Sequence, residues 1–138
     1  MADVIELATR HDDAFNSRDA DVRTAIEAED IEVVMPGGMT LRGHEHVMQV
    51  VRAFWEALPD GRIIRESQFV AGETVVAEGS LSGTHGGTFR TPQGEIPPTG
   101  NAVTLRYATV KQFRDDRLVS EHLYFDQLEF LQQLGALP

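Results

Sequence analysis

Apolar positions recur at helical spacing in the first part of the chain and give way to long alternating runs in the rest. From Asp3 to about Phe15, the positions Val4, Ile5, Leu7, Ala8, Ala14 and Phe15 predict an amphipathic helix, broken by Asn16, Ser17 and Arg18. Asp19 reads as the N-cap of a short second helix carrying Val22, Ala25 and Ile26 on one face. A strand is predicted over Ile31–Met35, ended by Pro36-Gly37-Gly38. A third helix from about His44 to Leu58 carries the stripe Val47, Val50, Val51, Phe54 and Leu58, and Pro59-Asp60-Gly61 stops it.

From Arg62 the period becomes that of strands. Arg62–Val70 and Glu73–His85 form a hairpin at Ala71-Gly72, and the glycine- and proline-rich stretch Gly86 to Gly100 reads as a long loop. Asn101–Phe113 and Leu118–Phe125 form a second pair across Arg114-Asp115-Asp116-Arg117. Gln127–Leu134 closes the chain as a short helix, ended by Gly135 and Pro138. Helices followed by a meander of long strands predict one α+β domain over residues 1–138, its helices packed on one face of a strongly curved antiparallel sheet.

Composition narrows the functions. No uninterrupted apolar run exceeds three residues, so no membrane-spanning helix is expected. The first residues lack the basic stretch and apolar block of a signal peptide, so the cytoplasm is the expected compartment. The absence of cysteine excludes disulfides, thiol nucleophiles and thiolate metal sites. Twelve basic against twenty-two acidic residues give a net charge of −10, which repels phosphate backbones and argues against nucleic acid as a partner.

The chemistry-bearing residues are few. There is no phosphate-cradling glycine loop, and Gly79-Ser80-Leu81-Ser82-Gly83 has leucine where a nucleophile elbow needs serine. His44-Glu45-His46 is the only close histidine pair, but residues two apart at a helix start diverge, so no metal is expected there. His11, at helical spacing with Leu7 and Phe15, reads as a boundary histidine, and Trp55 beside Phe54 as packing. In the last strand His122, Tyr124 and Asp126 share one face, while Leu123 and Phe125 occupy the other. A histidine, a phenol and a carboxylate together suit proton transfer, but also a half-solvated sheet surface. Asp126 has a second reading as helix cap, because Asp126-Gln127-Leu128-Glu129 resembles a capping box. His85, in Gly83-Thr84-His85-Gly86-Gly87, also fits a strand leaving the sheet at glycines.

Taken together these segments resemble the SnoaL-like polyketide and ester cyclases. Gly83-Thr84-His85-Gly86-Gly87 followed by Pro97-Pro98-Thr99-Gly100 is similar to that family's GTHxG…PPTG signature. The ending Glu121-His122-Leu123-Tyr124-Phe125-Asp126-Gln127-Leu128, with Leu131-Gln132-Gln133-Leu134-Gly135, is similar to its closing motif. Ala14-Phe15-Asn16…Asp19 and Leu41-Arg42-Gly43 match it upstream. The resemblance implies a nuclear transport factor 2-like cone, in which three helices and a bent sheet enclose a pocket. It also implies acid–base catalysis without metal or cofactor, such as aldol closure or isomerisation of an apolar carbonyl compound. Asp126 stands at the matching acidic position, with His85 and His122 as its expected catalytic partners. Tyr124, Arg106, Gln112, Phe15 and Trp55 are the expected substrate contacts. Gln112 falls where the antibiotic-pathway cyclases tend to have histidine, and glutamine cannot transfer a proton. A non-catalytic domain holding a hydrophobic ligand and a ligand-free dimerisation module are the competing readings. A homodimer is expected, pairing through the outer sheet surface.

Strand register bears on the site. A two-residue turn at Asp115-Asp116 puts Asp126 on the face of Tyr107. A three-residue turn puts it with Arg106 and Gln112; the resemblance favours this one, with Asp116 in the left-handed position.

Overall fold

The computed structural model describes residues 3–136. Helix α1 (Val4–Asn16) starts where the Asp3 side chain accepts from the Ile5 amide at 2.9 Å, and α2 (Ala20–Ile26) where Asp19 accepts from Val22 at 3.1 Å. Arg18, left-handed at φ 59°, turns the chain between them. Its guanidinium donates to the carbonyls of Phe15, Leu58, Pro59 and Gly61 at 2.9–3.2 Å. One cation thereby satisfies carbonyls at the C-terminal ends of both α1 and α3 (Gly43–Ala57).

Strand β1 (Glu27–Met35) begins at Glu27 rather than Ile31. Its first residue is buried although charged, which hid it from a hydrophobic pattern. A short strand β2 (Met39–Arg42), absent from the sequence reading, returns antiparallel to β1 before α3. Strands β3 (Arg62–Ala71) and β4 (Thr74–Thr84) form the predicted hairpin. The predicted loop after β4 contains a small separate hairpin, β5 (Phe89–Thr91) and β6 (Gly94–Ile96). Strands β7 (Ala102–Arg114) and β8 (Arg117–Phe125) precede α4 (Gln127–Gln133).

The main sheet has the order β2-β1-β8-β7-β4-β3. The fold is α+β, as expected, with one departure: β1 runs parallel to β8, so the sheet is mixed rather than wholly antiparallel. The sheet bends at Gly79, where an added Cβ would collide with the Ile64 carbonyl, and β3 is bulged between Arg65 and Ser67 directly opposite. The helices cover the concave face, and Ile31, Leu41, Leu58, Val75, Val103, Leu118 and Leu134 are buried between the layers. Among the described residues no helix is long and apolar enough to cross a membrane.

The β7–β8 turn has two residues, Asp115 and Asp116, both left-handed (φ 51° and 62°). The register then shifts by one, because Gln112 faces Ser120 while Phe113 faces Leu118, leaving Val119 as a bulge. Beyond the bulge even-numbered residues of β7 face even-numbered residues of β8. The parity expected from a three-residue turn is therefore reached by a two-residue turn plus a bulge.

Candidate functional site

The concave face holds a half-open cavity of about 110 Å³. Phe15, Val33, Leu41, Val47, Val51, Ile63, Leu81, Leu105 and Leu123 supply most of its wall. Met35, Val50, Phe54 and Phe125 line it too, and also border an outer groove of about 580 Å³ beneath the β5–β6 hairpin. Phe54 and Phe125 belong to an aromatic cluster with Phe89 and Phe130, ring centres 5.5–5.9 Å apart. Polar groups enter the inner cavity from Asp12, Arg23, Tyr107, Thr109 and Glu121.

Period-two alternation decides which strand residues reach this space. On β7 the inward set is Val103, Leu105, Tyr107, Thr109, Lys111 and Phe113; on β8 it includes Glu121, Leu123 and Phe125. Arg106, Gln112, His122 and Tyr124 lie on the opposite, outer face. His122 Nδ1 and the Tyr124 hydroxyl are 3.5 Å apart there, and exposed Arg106 pairs loosely with Glu66 at 3.9 Å. Asp126 lies just beyond β8, exposed, and accepts from the Glu129 amide at 3.0 Å as the α4 cap. His85 is fully buried away from the cavity. Its Nδ1 lies 3.0 Å from Thr99 Oγ1, its amide donates to Asn101 and its carbonyl accepts from Gly100, so it locks the two signature loops together. Trp55 donates to the Phe15 carbonyl at 3.1 Å and does not line the cavity. Among the residues expected at the site, the structure places Phe15 alone in the cavity wall. The expected grouping of Asp126, His85 and His122 is not formed: Asp126 caps a helix, His122 faces outward and His85 is a loop lock.

The polar groups that do reach the interior form a buried cluster at the base of the cone. His11 Nε2 lies 2.8 Å from Glu27 Oε2, and its Nδ1 lies 3.0 Å from Lys111 Nζ. Lys111 also donates to Asp12 Oδ1 at 2.8 Å and stands 3.9 Å from Glu121 Oε2. Arg65 donates to the other Asp12 oxygen at 2.9 Å. Arg23 donates to the His11 carbonyl at 2.9 Å and sits 3.9 Å from Glu27. The carboxylates Asp12, Glu27 and Glu121 thus balance Arg23, Arg65 and Lys111, provided His11 is neutral.

Burial, reinforced by the Arg23 and Lys111 charges, holds His11 well below the ordinary histidine value. Burial works against ionisation of Asp12, but Lys111, Arg23 and Arg65 together outweigh it and hold the carboxyl below its usual value. Burial raises Glu27. Burial, then the Asp12 charge, pushes the Tyr107 phenol far up, so it remains a neutral O–H donor at physiological pH. That hydroxyl is buried without a hydrogen-bond partner among the described residues and packs against Gly79, where a Cβ would come within 2.9 Å of it. Among the described residues no group of three histidine, cysteine or acidic side chains has a metal-binding arrangement.

This cluster gives stability a pH dependence with a defined sign. The unfolded chain protonates His11 below about pH 6.5 while the folded chain does not, so stability falls as pH drops below that value. Glu27, raised in the fold, works in the opposite direction and offsets part of the loss. In urea unfolding at pH 7, 6 and 5, the native protein is expected to lose stability progressively. His11→Asn is expected to flatten that slope; an unchanged slope would place the titration elsewhere.

The family model described as SnoaL-like polyketide cyclase matches residues 5–134. The chain belongs to this family. The SnoaL-like fold recurs in solved structures at low sequence identity. A protein provisionally described as a SnoaL-like polyketide cyclase from Jannaschia sp. CCS1 aligns with TM-score 0.86 and 21% identity, covering 98% of this chain and 93% of its own. IdmH from Streptomyces antibioticus, provisionally described as a polyketide cyclase, gives 0.81 and 23%, covering 97% and 99%. AclR from Streptomyces galilaeus, provisionally described as a hydroxylase, gives 0.84 and 20%, covering 98% and 82%. These likenesses show the SnoaL-like fold, and their differing descriptions show why the chemistry has to be argued from the site. No curated protein matches the chain.

Proposed function

We propose that this SnoaL-like protein catalyses proton transfer on an apolar small molecule bearing a carbonyl group, with Glu121 as general base and Tyr107 as hydrogen-bond donor. The observation that carries the reading is an apolar cavity lined by both Tyr107 and Glu121, with the Tyr107 hydroxyl buried and unpartnered. Glu121 removes a proton from the carbon next to the carbonyl. The C–H electron pair moves onto the carbonyl oxygen, and the resulting enolate accepts a hydrogen bond from Tyr107. The enolate carbon then attacks a second carbonyl of the same molecule, as in aldol closure, and the new alkoxide takes the proton back from Glu121; in isomerisation Glu121 returns the proton to a different carbon. Asp12 is the poorer base, because Lys111 and Arg65 each occupy one of its oxygens. Among the described residues Lys111 is the one cation within ion-pair distance of Glu121, and at 3.9 Å it is beyond hydrogen-bond reach. The step needs only a carboxylate and a phenol from the chain itself.

The test is exchange of the α-protons of 2-tetralone in D2O, followed by proton NMR. The native protein is expected to accelerate exchange above the buffer rate, and Tyr107→Phe to lose about 10²-fold of that acceleration. No acceleration by the native protein, or full activity in Tyr107→Phe, defeats the assignment. The ion pairs that hold Asp12 ionised and weakly basic favour a second reading, binding without turnover. It is chosen instead if 2-tetralone binds in a Tyr107-dependent way and exchange stays at the buffer rate.

We also propose that the outer sheet face forms a homodimer. Ile64 and Tyr124 are 52% and 55% exposed on the convex side, beside Ala108 and Val110. Light scattering at about 100 μM, where micromolar interfaces are mostly occupied, is expected to give twice the chain mass. Tyr124→Glu is expected to give a single chain; a monomeric native protein refutes the proposal.

A further inference from the structure

His11 takes no part in the proton transfer just described, and it does not line the cavity. It is nonetheless fully buried and held at both ring nitrogens. The direction of its hydrogen bonds follows from donor chemistry. An ammonium can only donate, so Lys111 Nζ donates to His11 Nδ1, which must be unprotonated. The ring proton is therefore on Nε2, where it is donated to Glu27 Oε2. This orders a chain running Glu27–His11–Lys111–Asp12 from β1 through α1 to β7 and back to α1.

The chain decides where the Lys111 protons go. Lys111 and Glu121 are direct cross-strand neighbours on the inward face of β7 and β8. Left alone, such a pair would close to a charge-assisted hydrogen bond of about 2.8 Å. Instead the ammonium is drawn to His11 at 3.0 Å and Asp12 at 2.8 Å, and Glu121 is left at 3.9 Å.

We propose that His11 is a positioning residue that holds the Lys111 ammonium away from Glu121 and so leaves the Glu121 carboxylate free to accept a substrate proton. The proposal rests on Glu121 being the base. The charged and titratable groups around His11 come from every packed element. They are Asp12 on its own helix, Arg23 from α2, Glu27 from β1, Arg65 from β3, Lys111 from β7 and Glu121 from β8, with His44 from α3 donating toward the Glu27 carbonyl. With Arg23 and Lys111 adjacent, a proton on Nδ1 would set two cations against each other and break the chain, so the neutral ring is the form that positions Lys111.

Two polar substitutions separate the halves of this device. His11→Asn places an amide oxygen near the Nδ1 position, so it can still accept from Lys111, but it cannot reach Glu27. His11→Gln places its amide near Nε2, so it can still donate to Glu27, but it offers nothing at Nδ1. Exchange of 2-tetralone is expected to stay within about threefold of native for His11→Asn and to fall about tenfold or more for His11→Gln, in the usual range for a disturbed acid–base group. A crystal structure of His11→Gln is expected to show Lys111 Nζ within about 3 Å of a Glu121 oxygen. Equal loss in both variants, or Lys111 unmoved in His11→Gln, would overturn the proposal and show a merely structural histidine.

Two measurements stand apart from turnover. Nitrogen-15 NMR of the native protein at pH 7 is expected to show the His11 ring protonated at Nε2 only; a proton on Nδ1 refutes the chain even if neither variant folds. If the spectrum and the Lys111 displacement are as expected but the native protein fails to exchange 2-tetralone, the positioning stands and the Glu121 base fails. If native exchange is fast and depends on Glu121 while Lys111 ignores His11, the base stands and the positioning fails.

Discussion

Glu121→Gln is expected to lower enzyme-dependent exchange of 2-tetralone by about 10²–10⁴, the usual worth of a positioned general base. The amide preserves the size of the side chain and its place in the cavity wall but cannot take a proton. The matching control is Asp126→Asn. Asparagine caps helices as well as aspartate, and Asp126 accepts from the Glu129 amide outside the cavity, so both stability and exchange are expected to stay near native. Asp126→Ala is expected to cost about 1 kcal/mol through the lost cap and again to leave exchange unchanged. The opposite outcome, with Glu121→Gln active and Asp126→Asn inactive, would return the base to the exposed end of β8. Measuring both variants by exchange and by thermal unfolding decides between them.

Lys111→Met is expected to destabilise the fold by about 3–5 kcal/mol, the usual cost of breaking a buried ion pair by removing one partner. Lys111 is 2% exposed and serves Asp12, His11 and, at longer range, Glu121. Methionine fills similar volume, so the loss is electrostatic rather than a cavity effect. Against a total stability of about 5–15 kcal/mol for a domain, such a loss is large. The double variant Lys111→Met/Asp12→Asn is expected to be less unstable than the sum of the two single changes, because it no longer buries an unpaired carboxylate at Asp12. Chemical denaturation of the four proteins measures the coupling. A Lys111→Met variant within about 1 kcal/mol of native would mean that the cluster contributes little to the fold.

Both predictions turn on residues that a reading of the chain as a string passed over, and the reasons are local. Helices α1, α2 and α3, the β3–β4 and β7–β8 pairs and α4 were legible because caps, glycine turns and apolar periods act over a few residues. The family was legible for a related reason, since its signature loops are built from contiguous segments such as Thr84-His85-Gly86 and Pro97-Pro98-Thr99. Strand β2 and the β5–β6 hairpin were missed because they are short and have little apolar alternation of their own.

The site shows the division most clearly. The alternation in β8 already separated Leu123 and Phe125 from His122 and Tyr124, and in a sheet covered on one side the apolar set faces the core. That rule points inward along Glu121, Leu123 and Phe125, and along Tyr107, Thr109 and Lys111 on the partner strand. A polar grouping chosen for its chemistry alone instead selected the outer face. Sequence by itself determined the helices, the long strands, the α+β class and the family, because each depends on periodicity, capping or contiguous motifs. Only the tertiary structure decided that His11, Asp12, Glu27, Lys111 and Glu121, from two separate strands beyond α1 and the start of β1, meet beneath one cavity. A buried charge is tolerated only where partners from distant segments converge on it, and that convergence is set by sheet register, including the bulge at Val119, rather than by any local pattern.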